Sequence, residues 1–309
     1  MKTEDRLRGG LVGMLVGDAL GVPYEFTRSY EIPHFDLIEM TPPDGFHQAH
    51  FVPAGTWSDD GAQALCLLAS LLECGHLNTH DLGQRFVAWY ERGYMAVDNK
   101  VFDIGIQTVK ALGRIQKGVR PESAGGASVT DNGNGSLMRV LPLALWHQGS
   151  DAQLVMDAMR QSSLTHGHEQ AKVTCALYCM WARGILEGTL DLEPAIERTA
   201  AHLNPFELDN LNAVVAHRPT GHEWGSGYVL DSFASAREAL KQPDYESVVK
   251  KAIAFGRDTD TTACIAGGLA GLIHGESGIP ARWRTALRGR DLLNPLMDTL
   301  VAFKGLGKP

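Results

Sequence analysis

The chain has 309 residues, 44% apolar and 21% charged, with a formal net charge of −8. That length can bury a large core, and the composition is that of a globular protein in water. The acidic balance supplies no basic footprint for phosphate backbones and argues against nucleic acid as a partner. Five cysteines, Cys66, Cys74, Cys175, Cys179 and Cys264, are an odd number without framework spacing, so free buried thiols in a reducing compartment are expected.

The first 21 residues contain a short apolar run. Glu4 and Asp5 stand where a secretory leader has basic residues, and Asp18 interrupts the run, so no leader is expected. No stretch reaches the roughly 18 apolar residues of a membrane span. The cytoplasm is the expected compartment. Gly9, Gly10, Gly13, Gly17 and Gly21 here, and Gly267, Gly268 and Gly271 near the other end, fall in helical segments. Small residues at such positions let helix backbones approach closely, at a propensity cost of about 1 kcal/mol each.

Residues 27–57 read as a long loop rich in Pro, His and aromatic side chains, within which 35–40 (FDLIEM) is the best short strand candidate. Helical spacing follows over 61–73, where Leu65, Leu68, Ala69 and Leu72 share a face, and over 81–92 and 104–116. A Gly-, Ser- and Asn-rich loop covers 118–136. Helical patterns resume over 151–162 and 169–186, give way to a loop mixing Pro, His and Gly over 204–227, and return over 231–241, 246–255, 261–273 and 281–302. The expected fold is all-α, a single domain over 1–309, with loops long enough to carry function.

Two acidic clusters sit at helix starts. In the first, Ser58 is a natural N-cap and Asp59 and Asp60 fall in the first turn, which capping and the helix macrodipole explain completely. The second, Asp258-Thr259-Asp260-Thr261-Thr262, precedes a nearly chargeless helix of small residues. Capping by Asp258 does not account for two carboxylates and three hydroxyls in a partly buried place. Buried carboxylates need partners, and the adjacent Arg257 cannot neutralise both clusters. Hard divalent cations can, because they take carboxylate, hydroxyl and water oxygens. Neither cluster holds His or Cys, which argues against zinc. If the clusters meet, they supply oxygens for two cations sharing a carboxylate.

At this point the pattern meets a known family. The chain resembles the ADP-ribosylglycohydrolases through seven blocks in order: GDALGVPYEF (17–26), GTWSDDG (55–61), FDIG (102–105), GNGSLMRVLPLAL (133–145), LTHGHEQA (164–171), GSGYVLDSFASA (225–236) and GRDTDTTACIAGGLAG (256–271). The resemblance implies a compact all-helical fold with two metals, Mg²⁺ or Mn²⁺, and a substrate carrying ADP-ribose on protein. It implies metal ligation by Ser58, Asp59, Asp60, Asp258, Asp260 and Thr261, with Ser58 where many relatives have Thr. Glu25 resembles the family glutamate beside the metals, and Asp103 the acid near the ribose, so Glu25, Asp59 and Asp103 are the catalytic candidates. Gly133, Asn134, Gly135, Ser136 and Met138 match the loop for the diphosphate and distal ribose. His166 matches a ligand-contact position, and Tyr228 flanks the cleft.

Chemistry alone reads the same residues in a compatible way. The diphosphate of ADP-ribose needs local donors in an acidic protein, and the free N–H groups of a Gly-rich turn provide them. Cleavage at an anomeric carbon needs a positioned water, a base and stabilised charge. Plainer readings stand beside these. Residues 131–139 can be a surface loop, and Glu25 a solvated residue after Pro23. His166 and His168 can be a zinc pair or core histidines, and one structural histidine with one ligand contact suits their spacing best. Cys175 and Cys179 suit a buried helix better than a metal. Trp57 can line the cleft or staple the helix. The bacterial-type blocks favour ADP-ribosyl-arginine. ADP-ribosyl-serine, nucleic-acid or small-molecule linkages, and a non-catalytic ADP-ribose binder, are the alternatives.

Overall fold

The computed structural model describes residues 2–305. Within them the chain forms fourteen α-helices joined by loops and short 3₁₀ turns, and no β-strand. These are α1 (Thr3–Gly21), α2 (Asp59–Cys74), α3 (Thr79–Arg92), α4 (Ile106–Gln116), α5 (Leu141–Trp146), α6 (Asp151–Ser163) and α7 (Glu169–Glu187). There follow α8 (Glu193–Ala200), α9 (Pro205–Ala216), α10 (Val229–Ala239), α11 (Tyr245–Ala254), α12 (Thr259–Gly278), α13 (Ala281–Ala286) and α14 (Arg290–Phe303). No helix among the described residues is long and apolar enough to cross a membrane.

The centre is the pair α1 and α12. Both are nearly buried all round, as helices without a polar face must be. Glycines set their distance. A Cβ on Gly9 would meet the Gly271 carbonyl oxygen at 2.2 Å, one on Gly17 the Ala263 oxygen at 2.1 Å, and one on Gly21 the Asp260 Cα at 2.3 Å. Rising numbers in α1 therefore face falling numbers in α12, so the two run antiparallel. The C-terminus of α1, leading to Glu25, lies against the N-terminus of α12 with its acidic cluster. Around this pair α2, α5, α7, α10 and α11 contribute buried apolar faces to one continuous core.

The structure departs from the sequence expectation in three places. Residues 35–40 form no strand; Phe35–Leu37 is a 3₁₀ turn. With no neighbouring strand to pair with, the segment is held through side chains. Tyr24 O–H donates to the Glu39 carbonyl, and the Glu39 carboxylate accepts from Arg282 and Trp283. The expected helix over 281–302 is two, α13 and α14. They are separated at Gly289, whose backbone is left-handed with φ 65° and whose missing Cβ leaves room for the Trp57 ring. The 204–227 loop contains α9, which starts with a capping box between Asn204 and Glu207 and Pro at its first turn. Helices α5 and α8 lie outside the segments that periodicity marked.

Candidate active site

Three helix ends converge, and a buried carboxylate joins two of them. Asp18, on the last turns of α1, accepts from the backbone N–H of Ser58 at 2.8 Å and of Gly61 at 2.8 Å. These are otherwise orphan donors at the start of α2, so Asp18 docks α2 onto α1. Burial pushes its carboxyl up to about 7, against the pull of those N–H groups. Ser58 caps α2 by accepting from Asp60 N–H. Asp258 occupies the N-cap position of α12 but makes no side-chain cap. Its carboxylate instead accepts from Asn134 Nδ2 at 2.7 Å.

The two clusters meet. Thr261 Oγ1 lies 3.3 Å from Asp60 Oδ1 across the α2–α12 junction. Asp60 and Asp260 are fully buried, and each has one carboxylate oxygen, Oδ2, without a hydrogen-bond partner. Burial first, and then neighbouring carboxylates, push Asp59, Asp60 and Asp260 well above the ordinary range. Among the described residues no Lys or Arg forms an ion pair with Glu25, Asp59, Asp60, Asp103, Asp258 or Asp260; Glu25 pairs with His50. The nearest cation, Arg139, reaches Asp59 only through Gln63: Gln63 Nε2 donates to Asp59 Oδ2 at 2.9 Å, and Arg139 donates to Gln63 Oε1 at 2.8 Å. Arg257 is exposed; its backbone exchanges hydrogen bonds with Phe26 and Thr27 and so clamps the Glu25 segment to the start of α12. Closely set hard oxygens, two of them orphaned and buried, fit divalent cations.

Glu25, buried, follows a 3₁₀ turn at the end of α1 and lies in one donor group with Asp258 and Asp260, all within 4.8 Å of one another. Burial, reinforced by Asp103, pushes Glu25 up to about 10. A second group of the same tightness contains Glu25, His50 and Asp103, and His50 Nε2 is in direct contact with Glu25 Oε2. Asp103 sits in left-handed backbone at φ 49°, a conformation that costs a non-glycine residue about 1–3 kcal/mol. Burial and then Asp258 raise its carboxyl to about 6.

From this acidic end a cleft of about 750 Å³ runs along the 129–138 loop; Glu25, Asp59, Asp103, Gly133, Asn134, Gly135, Met138, His166, Tyr228, Asp258 and Thr261 all line it. Ser58, Asp60 and Asp260 lie behind that surface. The Ser136 hydroxyl turns into the core, accepting from Ser162 Oγ at 2.8 Å. The Gly135 and Ser136 amides have no acceptor among the described residues. His166 is buried and held neutral by burial, near 3. His168 caps α7 through Gln170 N–H. Cys175 and Cys179 are core residues, and Trp57 packs on Gly61 at the start of α2 with its indole N–H on the Met95 carbonyl.

A family model described as ADP-ribosylglycohydrolase matches residues 1–307. The chain belongs to the ADP-ribosylglycohydrolase family. It is 30% identical over 281 residues to the ADP-ribosylarginine hydrolase Tri1 of Pseudomonas putida, covering 90% of this chain and 73% of that protein. It is 26% identical to the ADP-ribosyl-[dinitrogen reductase] glycohydrolase of Rhodospirillum rubrum, covering 98% of each. A solved structure described as an ADP-ribosylglycohydrolase-related protein complex superposes with TM-score 0.78 at 29% identity, over 99% of both chains. In this ADP-ribosylglycohydrolase, sequence reasoning passed over Asp18, His50, Gln63 and Arg139. Asp18 carried a signal, a lone acid in an apolar helix, as did Arg139, the one cation of its block. His50 lies in an irregular loop and carried none.

Proposed function

We propose that this ADP-ribosylglycohydrolase hydrolyses the N-glycosidic bond of ADP-ribosyl-arginine on a modified protein, using two divalent cations, Mg²⁺ or Mn²⁺. The observation that carries the reading is the pair of orphaned, buried oxygens of Asp60 and Asp260 at the deep end of a cleft walled by a glycine-rich turn. Ser58, Asp59, Asp60, Asp258, Asp260 and Thr261 would hold the cations. When bound, such ions neutralise the acids, orient ribose hydroxyls and lower the pKa of water.

The chain's own residues do the rest. Gly135 and Ser136 offer free backbone N–H groups to the diphosphate; the Gly133 and Asn134 N–H groups, given to Gln107 Oε1 and the Gly227 carbonyl, hold the turn in shape, and Met138, His166 and Tyr228 are walls for the distal ribose. Asn134 also ties this turn to Asp258, so substrate grip and metal end move together. Asp103 presents its carboxylate to the proximal ribose. Glu25 is placed to take a proton from water and return it to the departing guanidine, which leaves far more readily when protonated. Arginine as the linkage is supported by the relatives named ADP-ribosylarginine hydrolase, at 30% and 27% identity. Relatives named ADP-ribosylhydrolase ARH3, at 25–27% identity, make other linkages the second reading.

The decisive assay compares ADP-ribosyl-arginine and ADP-ribosyl-serine peptides, with and without EDTA, for wild type and Asp260→Ala. Release from arginine only, abolished by EDTA and in the variant, is expected. Turnover on serine alone moves the substrate to the second reading. Binding of ADP-ribose without turnover in either cation makes the protein a reader and overturns the enzymatic proposal.

A further inference from the structure

Two phenylalanines adjoin the two acids at the ribose end of the cleft: Phe26 follows Glu25, and Phe102 precedes Asp103. His50 lies between them, with ring centroids 5.8 Å from Phe26 and 5.2 Å from Phe102. We infer that the exposed ring of Phe26, backed by His50 and Phe102, is the subsite for the target's arginine side chain and stacks against its guanidinium plane. The inference rests on the ADP-ribosyl-arginine reading and adds to it the residues that recognise the linkage.

Placement comes first. With the diphosphate on the glycine-rich turn and the ribose at Asp103, the bond to be broken lies beside Glu25. The side chain joined by that bond leaves past the neighbours of these two acids, and Phe26 is 67% exposed there. Its ring is presented by strained backbone: Phe26 and Arg257 both hold left-handed conformations, at φ 61° and 68°. Phe26 N–H donates to the Arg257 carbonyl and Arg257 N–H to the Thr27 carbonyl, each at 2.6 Å, so the start of α12 holds the strain in place. Strain of this kind persists where surrounding structure over-determines it, characteristically at ligand sites. Charge then selects the occupant. An arginine keeps its positive charge when ADP-ribosylated, and the mouth it enters is lined by Glu25, Asp59, Asp103 and Asp258. Its guanidinium is planar and weakly hydrated, and it stacks on aromatic faces. A serine linkage brings neither the plane nor the charge. His50 Nε2 also contacts Glu25 Oε2, which ties the aromatic group to the acid proposed to handle the proton.

The competing role for Phe26 is packing alone, holding His50 and through it Glu25. Phe26→Leu separates the two, because leucine keeps apolar bulk and lacks the ring face; the ring is exposed, so little is taken from the core. Phe26→Trp restores a face. Each protein is assayed in Mn²⁺ on an ADP-ribosyl-arginine peptide, and its affinity for ADP-ribose, which lacks the arginine, is measured by isothermal titration. Phe26→Leu is expected to raise KM for the peptide about 10-fold, within the range of a cation–π contact. Its kcat and its Kd for ADP-ribose are expected to stay within about twofold of wild type, as for a contact made equally in ground and transition states. Phe26→Trp is expected to return KM to the wild-type value or below. An unchanged KM in Phe26→Leu, a loss confined to kcat, a Kd for ADP-ribose that rises in step with KM, or no recovery in Phe26→Trp each overturns the subsite and leaves the arginine reading standing, since wild type still cleaves the peptide. A wild type that releases ADP-ribose only from a serine peptide ends both.

Discussion

Gln63 stands between Asp59, a carboxylate of the proposed metal centre, and a buried arginine, and its amide has no freedom in how it points. Arg139 is fully buried, stacks over Phe86 at 4.6 Å and donates to the Gln63 oxygen, to Gln161 and to the Gly135 carbonyl. With its oxygen taken by a cation, Gln63 must turn its NH₂ to Asp59. Arg139 thereby fixes both an acid of the proposed metal centre and the turn proposed to hold diphosphate. Gln63→Leu removes the donor at nearly constant volume; metal affinity is expected to fall about 10–100-fold in isothermal titration, the usual cost of losing a hydrogen-bond partner behind a ligand. Asp103→Asn keeps the shape and removes the charge. Turnover is expected to fall at least about 10²-fold, the lower end of what a positioned acid or base contributes. Unchanged kcat on the arginine peptide would remove Asp103 from the reaction.

At the scale of elements, the site depends on α1 and α12 lying at glycine distance. Their antiparallel contact sets Glu25 against Asp260, and Asp18 then draws the start of α2 to the same point. Gly17→Ala places a methyl 2.1 Å from the Ala263 carbonyl oxygen, a backbone atom that cannot yield as a side chain can. Forced separation of packed helices costs typically about 1–3 kcal/mol. A lowered melting temperature is expected, together with weaker metal binding, because the shift is passed to the acidic ends. Unaltered metal affinity in a destabilised Gly17→Ala protein would show that the site tolerates the displacement. His217, at the end of α9, pairs with Asp231 of α10 at 2.6 Å, so these two elements meet beside Tyr228 on the cleft wall.

For the whole molecule, the acidic centre makes stability depend on pH, and the proposed cations would couple that dependence to metal. Glu25 is raised from 4.5 to about 10 when folded without metal, so between those values the folded chain binds a proton that the unfolded chain has lost. Stability then falls as pH rises, by up to about 1.4 kcal/mol per pH unit for such a group. Asp18, at about 7, adds to the loss only below that value. Divalent ions remove the need for the extra protons and stabilise by about 2.7 kcal/mol at a hundredfold excess over Kd. The melting temperature of EDTA-treated protein is expected to drop from pH 7 to 9 more steeply than that of protein in Mn²⁺. Parallel curves would mean that the carboxylates share no ion.

Local chemistry determined much of this protein. Apolar spacing marked most helices, because a helix buries a face with a period of 3.6 residues, and the clustered acids and hydroxyls at Ser58–Asp60 and Asp258–Thr262 marked the starts of α2 and α12. The order of the blocks was enough to assign the family. Short helices such as α5 and α8, and α9 inside a loop-like composition, escaped because a few turns leave too little periodicity to count. The 35–40 strand and the unbroken 281–302 helix failed because tertiary partners, Trp57 at Gly289 and Arg282 with Trp283 at Glu39, settled those backbones. Only the folded chain brought Asp18 and His50 to the acids, left two carboxylate oxygens without partners and turned Ser136 inward. Those facts depend on residues distant in sequence meeting in space, and periodicity carries no information about which distant residues meet.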